Sequence, residues 1–178
     1  MFTLVVGDAA SGKSEYAEQL ILRAGALPRY YVATMEPFGA EARARIARHR
    51  VLRAQKRFET IECPVGLSRV LLPARGAALL ECLSNLAANE LYSPAGAGGE
   101  QAALAAVVDG VESLRRQCEA LVVVTGEVFS GGSAYAGDTG TYLRVLAAAN
   151  RALAARADAV CEVACGLPRY YKGEGAAL

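Results

Sequence analysis

Strong charge of either sign is missing from this chain. Nineteen lysines and arginines face eighteen aspartates and glutamates, a net charge of +1. That balance leaves no electrostatic footprint for nucleic acid and no strong pull toward acidic membranes. No apolar run approaches the ~20 residues that a membrane span needs. The opening Met-Phe-Thr-Leu has no basic stretch ahead of an apolar one, so no signal peptide is read there and a cytoplasmic location is expected. Paired C-x-x-C spacing is also absent. The five cysteines, Cys63, Cys82, Cys118, Cys161 and Cys165, are scattered and odd in number. Neither a zinc site nor a disulfide framework fits that pattern, and buried reduced thiols are expected. Cys161 and Cys165 are four apart and would face one side of a strand, but two thiols alone make a poor metal site. No internal repeat or linker divides the chain. The 178 residues, 53% apolar and 21% charged, predict one domain over 1–178 that buries ~70% of its unfolded surface.

What is present begins with Gly7-Asp8-Ala9-Ala10-Ser11-Gly12-Lys13-Ser14. This run fits the phosphate-loop pattern G-x-x-x-x-G-K-[ST] at every fixed position. Its flanks fit as well: the β-prone Phe2–Val6 precedes it, and Tyr16, Leu20, Ile21 and Ala24 follow at helical spacing. Glycines let backbone N–H groups converge on an anion, and a helix N-terminus adds its positive end. Lys13 would reach the β- and γ-phosphates, and the Ser14 hydroxyl would hold Mg²⁺.

The remaining chain alternates strands and helices. Strands are predicted at Phe2–Val6, Tyr30–Ala33, Phe58–Glu62, Ala77–Leu80, Leu121–Thr125 and Ala159–Ala164, with a last one at Leu167–Tyr171. Helices are predicted at Lys13–Arg23, Glu41–Arg57, Leu83–Tyr92, Glu100–Cys118 and Thr141–Arg156. Such alternation gives an α/β fold, a mostly parallel sheet with helices on both faces. Ligands then bind beyond the C-terminal strand ends. Glu81 ends an apolar strand in Leu79-Leu80-Glu81-Cys82. An acid there suits Mg²⁺ or its water shell beside a phosphate loop; otherwise it is a sheet-edge carboxylate. Glu62 and Glu127 sit at strand ends with the same two readings.

Two segments are Gly-rich. Ser93–Gly99 reads as a flexible connector. Phe129–Gly140 follows a strand and is long, which suits a substrate lid or a plain mobile loop equally. The basic stretch Glu41–Arg53 carries the sole histidine. Arg45, His49 and Arg53 share a helix face at i, i+4, i+8. Two guanidiniums beside an imidazole suit a polyphosphate and a nucleophile; a solvated basic face is the other reading.

The order of these motifs resembles the bifunctional adenosylcobinamide kinase/adenosylcobinamide-phosphate guanylyltransferases. The resemblance runs nearly end to end. It rests on Gly7–Ser14, Tyr31-Val32-Ala33-Thr34, Ala44-Arg45-Ile46-Ala47-Arg48-His49-Arg50, Phe58–Glu62, Leu79–Ser84, Asn89, Thr125–Val128 and Asn150. It implies a RecA-like P-loop NTPase fold, a homotrimer, and ATP, GTP and Mg²⁺ as nucleotides and metal. A corrinoid, adenosylcobinamide or its phosphate, is the implied substrate. His49 matches the histidine that takes GMP covalently, and Lys13 is its catalytic companion at the phosphates. Ala33-Thr34-Met35, Arg50, Val51, Leu52, Arg53, Glu62 and Glu81 match nucleotide-contact positions. Gly126-Glu127-Val128-Phe129 departs from the family's usual Asn-Glu-Val-Gly, and the tryptophan common near Phe58 is missing. A guanylyltransferase alone, another small-molecule kinase and a non-catalytic GTP-binding protein are the rival expectations.

Overall fold

The structure is a computed structural model that describes residues 1–36, 56–126 and 137–173. Within these residues the chain runs β1 (Phe2–Gly7), α1 (Lys13–Arg23), β2 (Arg29–Ala33), β3 (Phe58–Glu62), a 3-10 turn (Leu67–Arg69), β4 (Gly76–Glu81) and α2 (Leu83–Tyr92). It continues as α3 (Glu100–Gln117), β5 (Cys118–Gly126), α4 (Asp138–Arg156), β6 (Ala159–Ala164) and β7 (Leu167–Lys172). The strands form one sheet in the order β3-β2-β4-β5-β1-β6-β7. Every pairing is parallel except β6 with β7. This is the mostly parallel α/β architecture of the P-loop class, with helices on both faces.

Strand parity sorts the core. Side chains alternate across a pleated strand, so residues two apart share a face. Val5, Tyr31, Leu79, Val122 and Cys161 turn toward α1, where they meet Tyr16, Ala17, Leu20 and Ile21. Leu4, Tyr30, Val32, Leu80, Leu121 and Val123 turn the other way, onto α2, α3 and α4. Central strands buried on both faces read as continuous apolar runs, as Ala77–Leu80 and Leu121–Val124 do.

Several boundaries differ from the sequence expectation. Cys118 opens β5 rather than closing α3. Gln117 ends the helix by turning its side chain onto the Leu72 N–H and the Val70 carbonyl. α4 begins at Asp138, directly after the left-handed Gly137 (φ 68°). The helix expected over Glu41–Arg57 does not reach its predicted end. Lys56 and Arg57 form a turn, with Arg57 at φ 59°; the rest of that helix lies outside the described residues.

The Ser93–Gly99 connector is held rather than loose. Glu90, 2% exposed, accepts hydrogen bonds from the N–H groups of Gly66 (2.6 Å) and Ala97 (2.9 Å). Its backbone carbonyl accepts a third from Gly98 (2.9 Å). A buried carboxylate is tolerated when backbone donors satisfy it. The thiol expectation holds for three of five cysteines. Cys63, Cys118 and Cys161 are buried, Cys82 is half-buried and Cys165 is exposed in the β6–β7 turn. Burial pushes the Cys63 and Cys161 thiols up to about 11 and Cys118 to about 12. Cys161 points into the core, so it does not share an open face with Cys165.

Candidate active site

β1 delivers the chain to the C-terminal edge of the sheet at Gly7, and the loop turns there into α1. A Cβ on Gly7 would lie 2.6 Å from Ser11 Oγ and 2.7 Å from the Val163 carbonyl oxygen. Only glycine fits against β6 at that point. Gly12 caps α1 at φ 89°, a left-handed geometry that again favours glycine. Inside the loop the Ser11 N–H bonds the Asp8 carbonyl at 3.2 Å. From outside, the Gly166 N–H in the β6–β7 turn bonds the Ser11 carbonyl at 2.8 Å. The loop is therefore braced by the far end of the chain. Lys13 Nζ rests on the Asp8 carbonyl at 2.9 Å, an exposed contact that leaves the ammonium over the loop. The sequence-predicted loop residues Gly7, Asp8, Ala9, Ala10, Ser11, Gly12, Lys13 and Ser14 are thus assembled as one turn at a helix N-terminus, a geometry that suits an anion.

A row of predicted residues ends the neighbouring strands. Ala33 in β2 pairs with Glu62 in β3 on one side and with Glu81 in β4 on the other. The three end their strands at one level. Parity places Glu62 and Glu81 on the α1 face, with Phe58 and Leu79. The Ser14 hydroxyl, in the first turn of α1, donates to Glu81 Oε1. The Tyr31 hydroxyl donates to Glu81 Oε2 at 2.9 Å. Adjacent strands and a helix so bring a hydroxyl and a carboxylate together, both hard oxygen donors of the kind Mg²⁺ takes.

Thr34 follows Ala33 and is fully buried. Its Oγ1 donates to the Cys82 carbonyl (2.8 Å) and accepts from the Cys82 N–H (2.7 Å). Its own N–H donates to the Glu81 carbonyl at 3.0 Å. Asn89 Nδ2 then donates to the Thr34 carbonyl (2.8 Å) and to that of Pro64 (2.9 Å). This lattice ties the ends of β2, β3 and β4 to α2. Burial pushes the Cys82 thiol above its ordinary value. Met35, next along, lines an open cleft of about 490 Å³ with Glu36, Asn85, Asn89 and Tyr92.

Three partners were not legible as site residues in the sequence. Tyr31 reads as an ordinary strand aromatic, and its contact with Glu81 crosses two strands. Asn89 is among the residues of the family resemblance, but its bonds to the Thr34 and Pro64 carbonyls were not legible from it. Glu90 looks like a surface helix residue. Parity within β2 and β4 was the one available signal for Tyr31. Arg45, His49, Arg50, Val51, Leu52, Arg53 and Glu127 lie outside the described residues, as does most of the long Gly-rich loop.

A phosphate loop opening a helix, with an acid at the end of a nearby strand, defines a P-loop nucleotide-binding protein. The model of the family described as cobinamide kinase / cobinamide phosphate guanyltransferase matches residues 3–170. The chain belongs to that family. It is therefore a transferase, with a role in assembling the nucleotide loop of cobalamin. It is 31% identical to the bifunctional adenosylcobalamin biosynthesis protein CobP of Pseudomonas aeruginosa, over 98% of this chain and 99% of that protein. It is 32% identical to the bifunctional adenosylcobalamin biosynthesis protein CobU of Salmonella typhimurium, over 94% of this chain and 97% of that one. Among solved structures, the RadB recombinase matches with a TM-score of 0.46 at 18% identity, covering 90% of this chain and 73% of that one.

Proposed function

We propose that one nucleotide site, in a single domain over residues 1–178, serves two transfers to a cobinamide-type acceptor. In the first, the hydroxyl of adenosylcobinamide attacks the γ-phosphate of ATP or GTP. A new O–P bond forms, the γ-phosphate's bond to the bridging oxygen breaks, and the nucleoside diphosphate leaves. In the second, the His49 imidazole attacks the α-phosphate of GTP and pyrophosphate leaves. A phosphate oxygen of adenosylcobinamide phosphate then attacks the histidine-bound GMP. That step forms adenosyl-GDP-cobinamide and frees the imidazole.

The observation that carries this reading is the contact of the loop's Ser14 with Glu81, in a chain that belongs to the kinase/guanyltransferase family. The residues divide the work in physical terms. Backbone N–H groups of the loop and the α1 N-terminus cradle the phosphates. Lys13 swings from the Asp8 carbonyl to the β- and γ-oxygens, where its charge opposes the negative charge that builds as a bond breaks. Arg50 and Arg53, with Val51 and Leu52 between them, grip the nucleotide near His49. Ala33, Thr34 and Met35 set the floor beside it, and Glu62 closes the row.

The donor set at Ser14 and Glu81 fits Mg²⁺. Among the described residues no cluster of three or more His, Cys, Asp and Glu side chains forms a cage. A magnesium site of this kind is completed by phosphate oxygens and water. When bound, the ion would neutralise charge on the phosphate oxygens in flight. We further propose cytoplasmic action as a homotrimer, which the family resemblance supports. No helix among the described residues is long and apolar enough to cross a membrane.

The test is direct. The protein is incubated with α-labelled GTP and Mg²⁺, then denatured. An acid-labile, base-stable label is expected, with GMP found by mass spectrometry on the peptide carrying His49. A GMP adduct confined to any other peptide overturns the assignment.

A further inference from the structure

Glu81 is held by two hydroxyls, and only one of them belongs to the phosphate loop. The second comes from Tyr31, in the middle of β2. Tyr31 pairs in register with Leu79, two residues before Glu81 in β4. Parity therefore puts the Tyr31 ring and the Glu81 side chain on the same face of the sheet, under α1. Tyr31 is 5% exposed, so its ring has little freedom. The edge of one ring meets the face of the other between Tyr31 and Phe58, with centroids 5.9 Å apart at 87°. From that fixed ring the hydroxyl reaches Glu81 Oε2 at 2.9 Å. The other oxygen, Oε1, takes the Ser14 hydroxyl. Each carboxylate oxygen so has its own donor, and the plane of the carboxylate is set by two points on different elements.

We propose that Tyr31 is a positioning residue for the metal–nucleotide complex: it fixes the Glu81 carboxylate by Oε2 so that Oε1 stays turned to Ser14. This rests on the reading of Glu81 as an outer support of Mg²⁺. A glutamate at a strand end otherwise samples several rotamers, and ordering it on metal binding costs side-chain entropy. A buried phenol removes that cost in advance, the logic of pre-organisation. The tyrosine touches neither phosphate nor metal in this role. It acts only through the carboxylate.

The experiment measures GTP affinity by calorimetry, once with excess Mg²⁺ and once with EDTA, for the wild-type protein, Tyr31→Phe, Glu81→Ala and the double variant. The ratio of the two affinities isolates the metal-dependent part. Tyr31→Phe is expected to reduce that ratio ~3–10-fold, the net worth of one ordinary hydrogen bond. Its affinity in EDTA is expected to stay at the wild-type value. Adding Tyr31→Phe to Glu81→Ala is expected to change nothing further, because the route runs through the carboxylate. If Glu81→Ala lowers the ratio while Tyr31→Phe keeps the wild-type one, the proposal is overturned and the reading of Glu81 stands. If Glu81→Ala itself keeps the wild-type ratio, both fall. An equal loss in the single and double tyrosine variants shows an independent role and also overturns it. A merely structural tyrosine would lower both affinities and the melting temperature together.

Discussion

Replacing Thr34 with valine removes one hydroxyl and nearly preserves its shape. The change strikes the point where β2 and β4 are tied beyond their ladder. Thr34 Oγ1 serves the Cys82 carbonyl at 2.8 Å and the Cys82 N–H at 2.7 Å, and no part of the side chain is exposed. Valine leaves the Cys82 N–H without a partner, while the Cys82 carbonyl keeps the Leu86 N–H at 3.1 Å. A buried donor left unpaired costs ~1–3 kcal/mol. For a domain of this size each kcal/mol lowers the melting temperature by about 2–4 °C, so the expected drop is on the order of 2–12 °C. The neighbouring Glu81 carbonyl accepts from the Thr34 N–H at 3.0 Å, so the loss reaches the strand end that carries Glu81. GTP affinity with Mg²⁺ is expected to weaken as well. Circular dichroism melting and a GTP titration check the two parts. A melting temperature within about 1 °C of wild type would refute the reasoning, since that leaves under ~0.5 kcal/mol for a buried, unpaired donor.

Lys13→Ala is expected to abolish nucleotide turnover without unfolding the protein, because Lys13 Nζ makes only an exposed contact to the Asp8 carbonyl; unchanged GTP binding in a titration would count against its role. His49→Ala is expected to lose GMP attachment and guanylyl transfer while phosphorylation of adenosylcobinamide survives; equal loss of both activities would show that His49 orients nucleotide for every step. With Ellman's reagent at pH 8, the native protein is expected to show one fast thiol, Cys165, with Cys82 slower and three thiols silent until unfolding; three or more fast thiols would contradict the burial described above. The raised thiols also fix a pH window. Folded Cys63, Cys118 and Cys161 ionise at about 11, 12 and 11, above the unfolded value of 9.0. The unfolded chain therefore sheds protons first, and stability present below pH 9 is lost as pH rises toward 11–12. Denaturant midpoints that stay flat from pH 8.5 to 11 would exclude that linkage.

Local signals were legible in the sequence, and long-range pairings were not. α1 and α2 begin and end where the sequence places them, as do β3 and β6. Each has a contiguous pattern and a local stop. The phosphate loop was legible for the same reason: all its determinants lie within eight consecutive residues. Glu81 was legible as an acid after an apolar run. Its two hydroxyl partners were not equally so, since Ser14 sits in a motif and Tyr31 is merely one strand residue among many. Glu90 went unread because its three hydrogen bonds reach Gly66, Ala97 and Gly98, positions that composition alone marks as loose. Cys118 was misplaced because an apolar residue after a helix continues the helical pattern. Only the Gln117 contacts across to Val70 and Leu72 end it.

The hairpin of β6 and β7 carries a consequence for how the chain is made. Its turn bonds the Ser11 carbonyl, and the strand it closes flanks β1, which bears the phosphate loop. The loop is translated near the start of this sequence, and its brace at Gly166 comes near the end. At ~5–20 residues per second, on the order of ten seconds or more separates the two. During that interval β1 gains β5 only once residues 118–126 have emerged, and β6 later still. A ribosome-bound chain halted before β6 holds the nucleotide motif in full but lacks the strand and turn that brace it on one side. The brace of the nucleotide loop is thus a late acquisition in the life of the nascent chain.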